Sequence, residues 1–220
     1  EPFFFQRAKD KGSKELYARV MELFTAFCAL VFLGVIFYID IISLLLGRDF
    51  RSGVGVVPIM LFSYMVLGML FNVSMWYKLS GKTNMAIWIT SAGLVVTLVV
   101  NLVFMPKYSY WAAAFGHLAS YVVMFILSAV LGQKYWPVPY RWGRILGTLA
   151  LMFLFYGLAS LADTHLFHFA GWDTDRDLLW WKLGVHTVLL LGYLLSAWAL
   201  LRKGIAPGAG DGSDAGAVRQ

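Results

Sequence analysis

The chain has 220 residues, 60% of them apolar and only 14% charged, with a mean hydropathy of +0.71. A soluble domain of this length needs far more polar surface, so the composition excludes one and points to a membrane-embedded unit. The formal net charge of +6 is not a nucleic-acid signature, because the basic residues lie in loops beside apolar runs, where membrane orientation and anionic headgroups account for them.

In chain order, Glu1-Pro2-Phe3-Phe4-Phe5 reads as the last turn of a helix whose body is absent. With no initiator Met, the expectation is the carboxy-terminal part of something longer. Residues 1–19 are that helix end and a charged connector turning helical near Glu15. Residues 20–203 hold six apolar runs: 23–46, 56–77, 85–105, 111–131, 145–161 and 179–201. A hydrocarbon core about 30 Å thick takes about 20 helical residues to cross. Unpaired backbone groups are too costly in lipid for a looser structure. The fifth run is short but passable in a thinned bilayer. The predicted fold class is therefore an all-α integral membrane protein, a bundle of six transmembrane helices.

The connections are short. Gly47, Gly53 and Gly55 loosen the first loop, and Pro58 falls near the start of the second helix, where proline is tolerated. Lys78-Leu79-Ser80-Gly81-Lys82-Thr83 is a tight loop, and Pro106-Lys107-Tyr108-Ser109-Tyr110 a short aromatic turn. Trp136, Tyr140 and Trp142, with Pro137 and Pro139, suit the headgroup level, as do Trp180 and Trp181. Residues 204–220 are rich in Gly, Ala and Asp and are expected to be a disordered tail. The single cysteine, Cys28, has no disulfide partner and reads as a packed apolar residue.

Orientation follows from the basic residues. One side carries Arg7, Lys9, Lys11, Lys14, Arg19, Lys78, Lys82, Lys134, Arg141, Arg144, Arg202, Lys203 and Arg219. The other carries Arg48, Arg51, Lys107, Arg176 and Lys182, so the 18 divide thirteen against five. The positive-inside rule places the first side, and with it both ends of the chain, in the cytoplasm.

Few intramembrane residues are polar. The second run carries Tyr64, Gly68, Asn72 and Trp76 at four-residue spacing, with Lys78 just beyond. The third aligns Thr90, Thr97 and Asn101; the fourth aligns His117, Tyr121, Met124 and Ser128; the sixth has His186, Tyr193 and Ser196. Such faces turn inward, since lipid contact is expensive. Any one Asn, Ser or Thr is as readily an interhelical hydrogen bond, whereas the aligned faces of the second and third runs together read as a cavity lining. Ala112, Gly116 and Ser120 form a small-residue ridge that calls for close helix packing. Enzyme signals are weak. His165 and His168 stand near Asp163 and Asp173, but a metal site needs a third ligand and fixed geometry. No metal, cofactor or catalytic residue is expected. Glu22 and Asp40 are the only carboxylates inside the expected helical spans, both near helix ends, so no deep proton-relay carboxylate is expected either.

Several stretches stand out together. They are Glu1-Pro2-Phe3-Phe4-Phe5 with its Lys-rich loop and Leu16-Tyr17, Val57-Pro58-Ile59 with Gly68, and Asn72-Val73-Ser74-Met75-Trp76-Tyr77-Lys78-Leu79 with Lys82-Thr83. Asn101-Leu102-Val103-Phe104-Met105-Pro106-Lys107 and Gly132-Gln133-Lys134-Tyr135-Trp136-Pro137-Val138-Pro139-Tyr140 continue the set. Over residues 1–145 these stretches resemble the bacterial O-antigen and capsular polysaccharide flippases of the multidrug/oligosaccharidyl-lipid/polysaccharide exporter superfamily. The fifth and sixth runs match only in position and hydrophobicity, and residue 112 is Ala where the family more often has Gly.

The resemblance implies the carboxy-terminal half of a fourteen-helix, two-bundle transporter in the bacterial inner membrane, with a cytoplasmic carboxy terminus. Its substrate would be an undecaprenyl-diphosphate-linked oligosaccharide for polysaccharide biosynthesis, flipped by alternating access. Its partners would be membrane lipids and a preceding helix bundle of the same protein. On that reading Asn72 and Asn101 would hydrogen-bond sugar hydroxyls, Trp76 would stack on a sugar ring and Lys78 would meet pyrophosphate. The rivals are a drug/cation antiporter of the same superfamily, which wants a buried carboxylate, and a membrane polymerase or ligase, which wants catalytic residues in a large outward loop.

Overall fold

The computed structural model describes residues 13–45, 53–166 and 175–202. The connector residues 1–12, residues 46–52 of the first loop, residues 167–174 and the expected tail lie outside them. The helices are α1 (Ser13–Phe37), α2 (Ile39–Leu45), α3 (Val57–Val73), α4 (Met75–Leu79), α5 (Asn84–Tyr108), α6 (Tyr110–Tyr135), α7 (Trp142–Leu161) and α8 (Asp175–Arg202), with a π-helical turn at Ala162–Leu166. There is no strand among the described residues. Among the described residues, six segments are long and apolar enough to cross a membrane. The chain is an all-α, multi-pass membrane bundle, as its apolar runs predict.

The elements differ from the runs at their ends. The first helix begins at Ser13, so Glu22 lies well inside it rather than near its end. It breaks at Tyr38 and resumes as α2. The second run breaks at Ser74, whose hydroxyl donates to Phe71 O at 2.9 Å while its N–H keeps the ladder to Leu70 O at 2.8 Å. A serine that bonds back to its own helix bends it, and Trp76 and Lys78 fall on the short α4 beyond the bend. The expected turn at residues 106–110 shrinks to one residue. The α5 helix runs through Pro106 to Tyr108, and Ser109 alone takes the corner at φ 50° before α6 begins. That conformation is uncommon for a residue with a side chain.

Packing order decides which polar groups meet. The α6 helix packs on both α5 and α3, α3 packs on α1, and α1, α7 and α8 pack on one another. One end of the bundle, here the basic end, gathers Lys14, Lys82, Lys134, Arg141, Arg144 and Arg202. The far end gathers α2, Lys107, the π turn and the start of α8. The core runs along α1, where Met21, Ala29, Phe32, Leu33 and Phe37 meet Met65, Met69, Ile145, Met152 and Tyr193. Cys28 packs half-buried against this core. Tyr193 is fully buried and donates to Ala26 O at 3.1 Å, tying α8 to α1. The ridge Ala112, Gly116 and Ser120 is buried against α5 as its spacing predicts. Ser120 donates to Gly93 O at 2.8 Å, and a Cβ on Gly116 would stand 3.2 Å from Asn101 Oδ1. Large apolar side chains on the outside, such as Trp88, Leu102, Val130 and Trp180, are what lipid requires.

Candidate functional site

The four candidate residues do not form one site. Asn72 and Lys78 share a groove of about 380 Å³ between α1 and the α3–α4 segment, walled by Tyr17, Val20, Phe24, Gly68, Phe71 and Met75. Gly68 lets the Phe24 ring close onto α3 at this groove: a Cβ there would stand within 3 Å of the ring. The walls are almost wholly apolar, and the Asn72 amide, the Lys78 ammonium and the Tyr17 hydroxyl are the polar side-chain groups among the lining residues. Asn72 Oδ1 is out of solvent and has no hydrogen-bond partner among the described residues, which leaves an acceptor, or the amide's donor after a flip, unspent.

Trp76 sits behind this groove instead of lining it. It is 3% exposed, its Nε1 donates to Ser128 Oγ at 3.2 Å, and it stacks on Tyr135 with centroids 5.6 Å apart. Gly132 makes room for it, since a Cβ there would stand 2.9 Å from Trp76 Cδ1. Its ring faces are spent on protein, so in this arrangement it is a packing wedge between α4 and α6 with no face open to a sugar. Asn101 is on a third surface, against Gly116 of α6, with its Oδ1 also buried and unpartnered among the described residues. Because α6 lies between α3 and α5, the polar rows of the second and third runs do not line a common cavity. Thr90 is exposed and bonds its own helix, at Ala86 O and Ile87 O.

A second polar region lies at the basic end. Glu15, Leu16, Ala18, Arg19, Glu22, Pro139 and Arg141 surround a cleft of about 520 Å³. Glu22 is buried at its edge. Its Oε2 meets Arg144 Nη1 at 3.3 Å, and its Oε1 lies 3.9 Å from Arg141 Nε. The loop between α6 and α7 folds inward to build this region: Val138 is buried, and Gln133 Nε2 donates to its carbonyl at 2.8 Å. Tyr140 packs into the same corner, and burial pushes its phenol up from the ordinary value, with Tyr17 adding to the effect. Lys82 lies 3.5 Å from the centre of the Tyr135 ring, a cation–π contact.

A third cluster sits at the far end, where the sequence promised only loop acids. Lys182 Nζ is 2.6 Å from Asp40 Oδ2 and 3.5 Å from Asp163 Oδ2; His186 Nε2 is 3.2 Å from Asp163 Oδ1. Asp163 belongs to the π turn that prolongs α7, inside the membrane-length segment Trp142–Thr164, and not to a free loop. The signal that could have found it is Lys182 and His186 themselves, four residues apart on one face of a membrane helix, which call for carboxylates opposite. Asp163 is thereby engaged by Lys182 and His186. No group of three metal-ligating side chains occurs among the described residues; His168 and Asp173 lie outside them.

No family model matches the chain, and neither a curated protein nor a solved structure matches it at a significant level.

Proposed function

We propose that the chain is the carboxy-terminal bundle of a transporter that flips a polyprenyl-diphosphate-linked oligosaccharide across the bacterial inner membrane, with the basic end in the cytoplasm. The observation that carries this reading is the groove shared by Asn72 and Lys78. It is apolar along its walls, open on one side, and holds an amide and an ammonium toward the basic end. That is the polarity of an amphiphile whose tail stays in lipid while its head needs hydrogen bonds and positive charge. The sequence resemblance supplies the substrate class, and the charge asymmetry supplies the orientation. Rocking of this bundle against a preceding one would alternate access to the two leaflets.

Within this reading Asn72 hydrogen-bonds the glycan and Lys78 faces the pyrophosphate, while Trp76 acts through the placement of α4. The test is Asn72→Leu and Lys78→Ala in cells that depend on the protein for surface polysaccharide. Surface polysaccharide should fall several-fold at normal protein level, and lipid-linked oligosaccharide should accumulate in the inner leaflet. Full export in both variants would remove the groove from the pathway.

A further inference from the structure

The geometry of the far-end cluster calls for a proton. His186 is 3% exposed, its ring stacks on Phe37 at 5.0 Å, and its Nδ1 lies 2.9 Å from Phe37 O. A carbonyl oxygen can only accept, so Nδ1 carries hydrogen. In a neutral imidazole Nε2 would then be a bare lone pair. It faces Asp163 Oδ1 at 3.2 Å, and both atoms are out of solvent with no hydrogen-bond partner among the described residues. Two acceptors that close repel unless a proton lies between them, on either the imidazole or the carboxyl group.

We propose that Asp163 and His186 form a single-proton binding site between the π turn and α8, whose occupancy holds α8 against the π turn at the far end. The charge count agrees. Asp40 and Asp163 bring two negative charges and Lys182 one positive, so one bound proton makes the cluster neutral where uncompensated charge is expensive. The elements packed against His186 bring no other such group from the described residues. The α1–α2 segment brings the Phe37 carbonyl and Asp40, which reaches Lys182. The α7 helix has Arg144 at the opposite end and Tyr156 standing edge-on to Phe32. A metal cation suits the place less well than a proton, because the Lys182 ammonium already stands between the two carboxylates.

The site is also placed to move something. His186 takes the carbonyl of the last residue of α1, next to the break at Tyr38, and Tyr38 Oη meets Thr187 Oγ1 at 2.8 Å one residue further along α8. The proton enters and leaves by way of Asp163, whose side chain is 36% exposed against 3% for His186. When it departs to water, two lone pairs are left face to face and the contact between α8 and the π turn opens. This inference does not depend on what the bundle transports.

The test uses the full chain with nitrogen-labelled histidine in lipid nanodiscs. Nitrogen NMR reads each ring nitrogen as protonated or bare, and His186→Gln assigns the signals among the four histidines. The wild type should show Nδ1 protonated and Nε2 sharing a proton at neutral pH, with that proton lost in one step as pH rises. Thermal stability should fall across the same step. In Asp163→Asn the amide donates to Nε2 without a titrating proton. Nε2 should then read as an acceptor at neutral pH, and stability should lose its step. A wild-type Nε2 that is a bare lone pair at neutral pH, a bare Nδ1, or a pH step that Asp163→Asn leaves in place would overturn the proposal.

Discussion

Replacing Trp76 separates a packing wedge from a sugar platform. The indole is 3% exposed, stacked on Tyr135 and seated over Gly132. Truncation to Ala removes a bicyclic ring from a contact that α4 and α6 cannot close without moving. Large aromatic-to-alanine changes in protein interiors cost about 3–5 kcal/mol. In lipid the water-exclusion part of that is smaller, but the lost dispersion contacts remain, so about 2–4 kcal/mol is expected on those principles. Trp76→Phe keeps most of the ring contact and loses the bond to Ser128, worth about 0.6 kcal/mol and at most about 1.7 for interhelical bonds in a membrane. Ser128→Ala should cost a similar amount. Fluorescence-detected size exclusion after heating in mild detergent ranks the variants. The expected order is Trp76→Ala far below Trp76→Phe, which lies just below wild type, with export lost only as protein is lost. A Trp76→Ala protein as stable as wild type but unable to export would refute the packing role and return Trp76 to the substrate.

Three further outcomes are expected. Single cysteines at positions 50 and 170 in a Cys28-free background should react with a membrane-impermeant thiol reagent on intact cells, while positions 80 and 210 stay silent; the reverse pattern would invert the topology. Glu22→Ala should lower thermal stability by about 1–3 kcal/mol, less than a fully buried pair because Arg144 is a quarter exposed. Arg141→Ala, whose side chain is 53% exposed, should cost under about 1 kcal/mol, and equal losses would show that Arg144 is not the main partner. Deleting residues 206–220, which carry no apolar periodicity, should leave membrane level and export unchanged, and loss of either would reveal a functional segment there.

The helices were legible because lipid leaves the chain little choice: an apolar run of about 20 residues has to be helical. The small-residue ridge of α6 was legible for a similar reason, since its spacing specifies a face and its size specifies closeness. What the sequence hid were the breaks and the neighbours. Nothing in the composition of residues 56–77 marks Ser74 as a bend, because a serine hydroxyl turns to its own helix as readily as to another. The rows of the second and third runs looked like one lining because helical periodicity gives a face but not its partner, and α6 lies between them. Glu22 seemed peripheral because the charged residues before it disguised three turns of helix. Asp163 looked like a loop acid because apolar counting stops at Leu161, whereas the backbone coils on to Leu166.

A bundle that moves a lipid-linked glycan, as proposed, should do so in purified form. The protein is reconstituted into vesicles with a fluorescent short-chain polyprenyl-diphosphate oligosaccharide, and a membrane-impermeant reductant quenches the label in the outer leaflet. Quenching should proceed past the half reached in protein-free vesicles, and Asn72→Leu with Lys78→Ala should return it toward half at equal protein content. Quenching that stops at half with the folded wild-type protein, under every imposed ion gradient, would contradict the proposed transport.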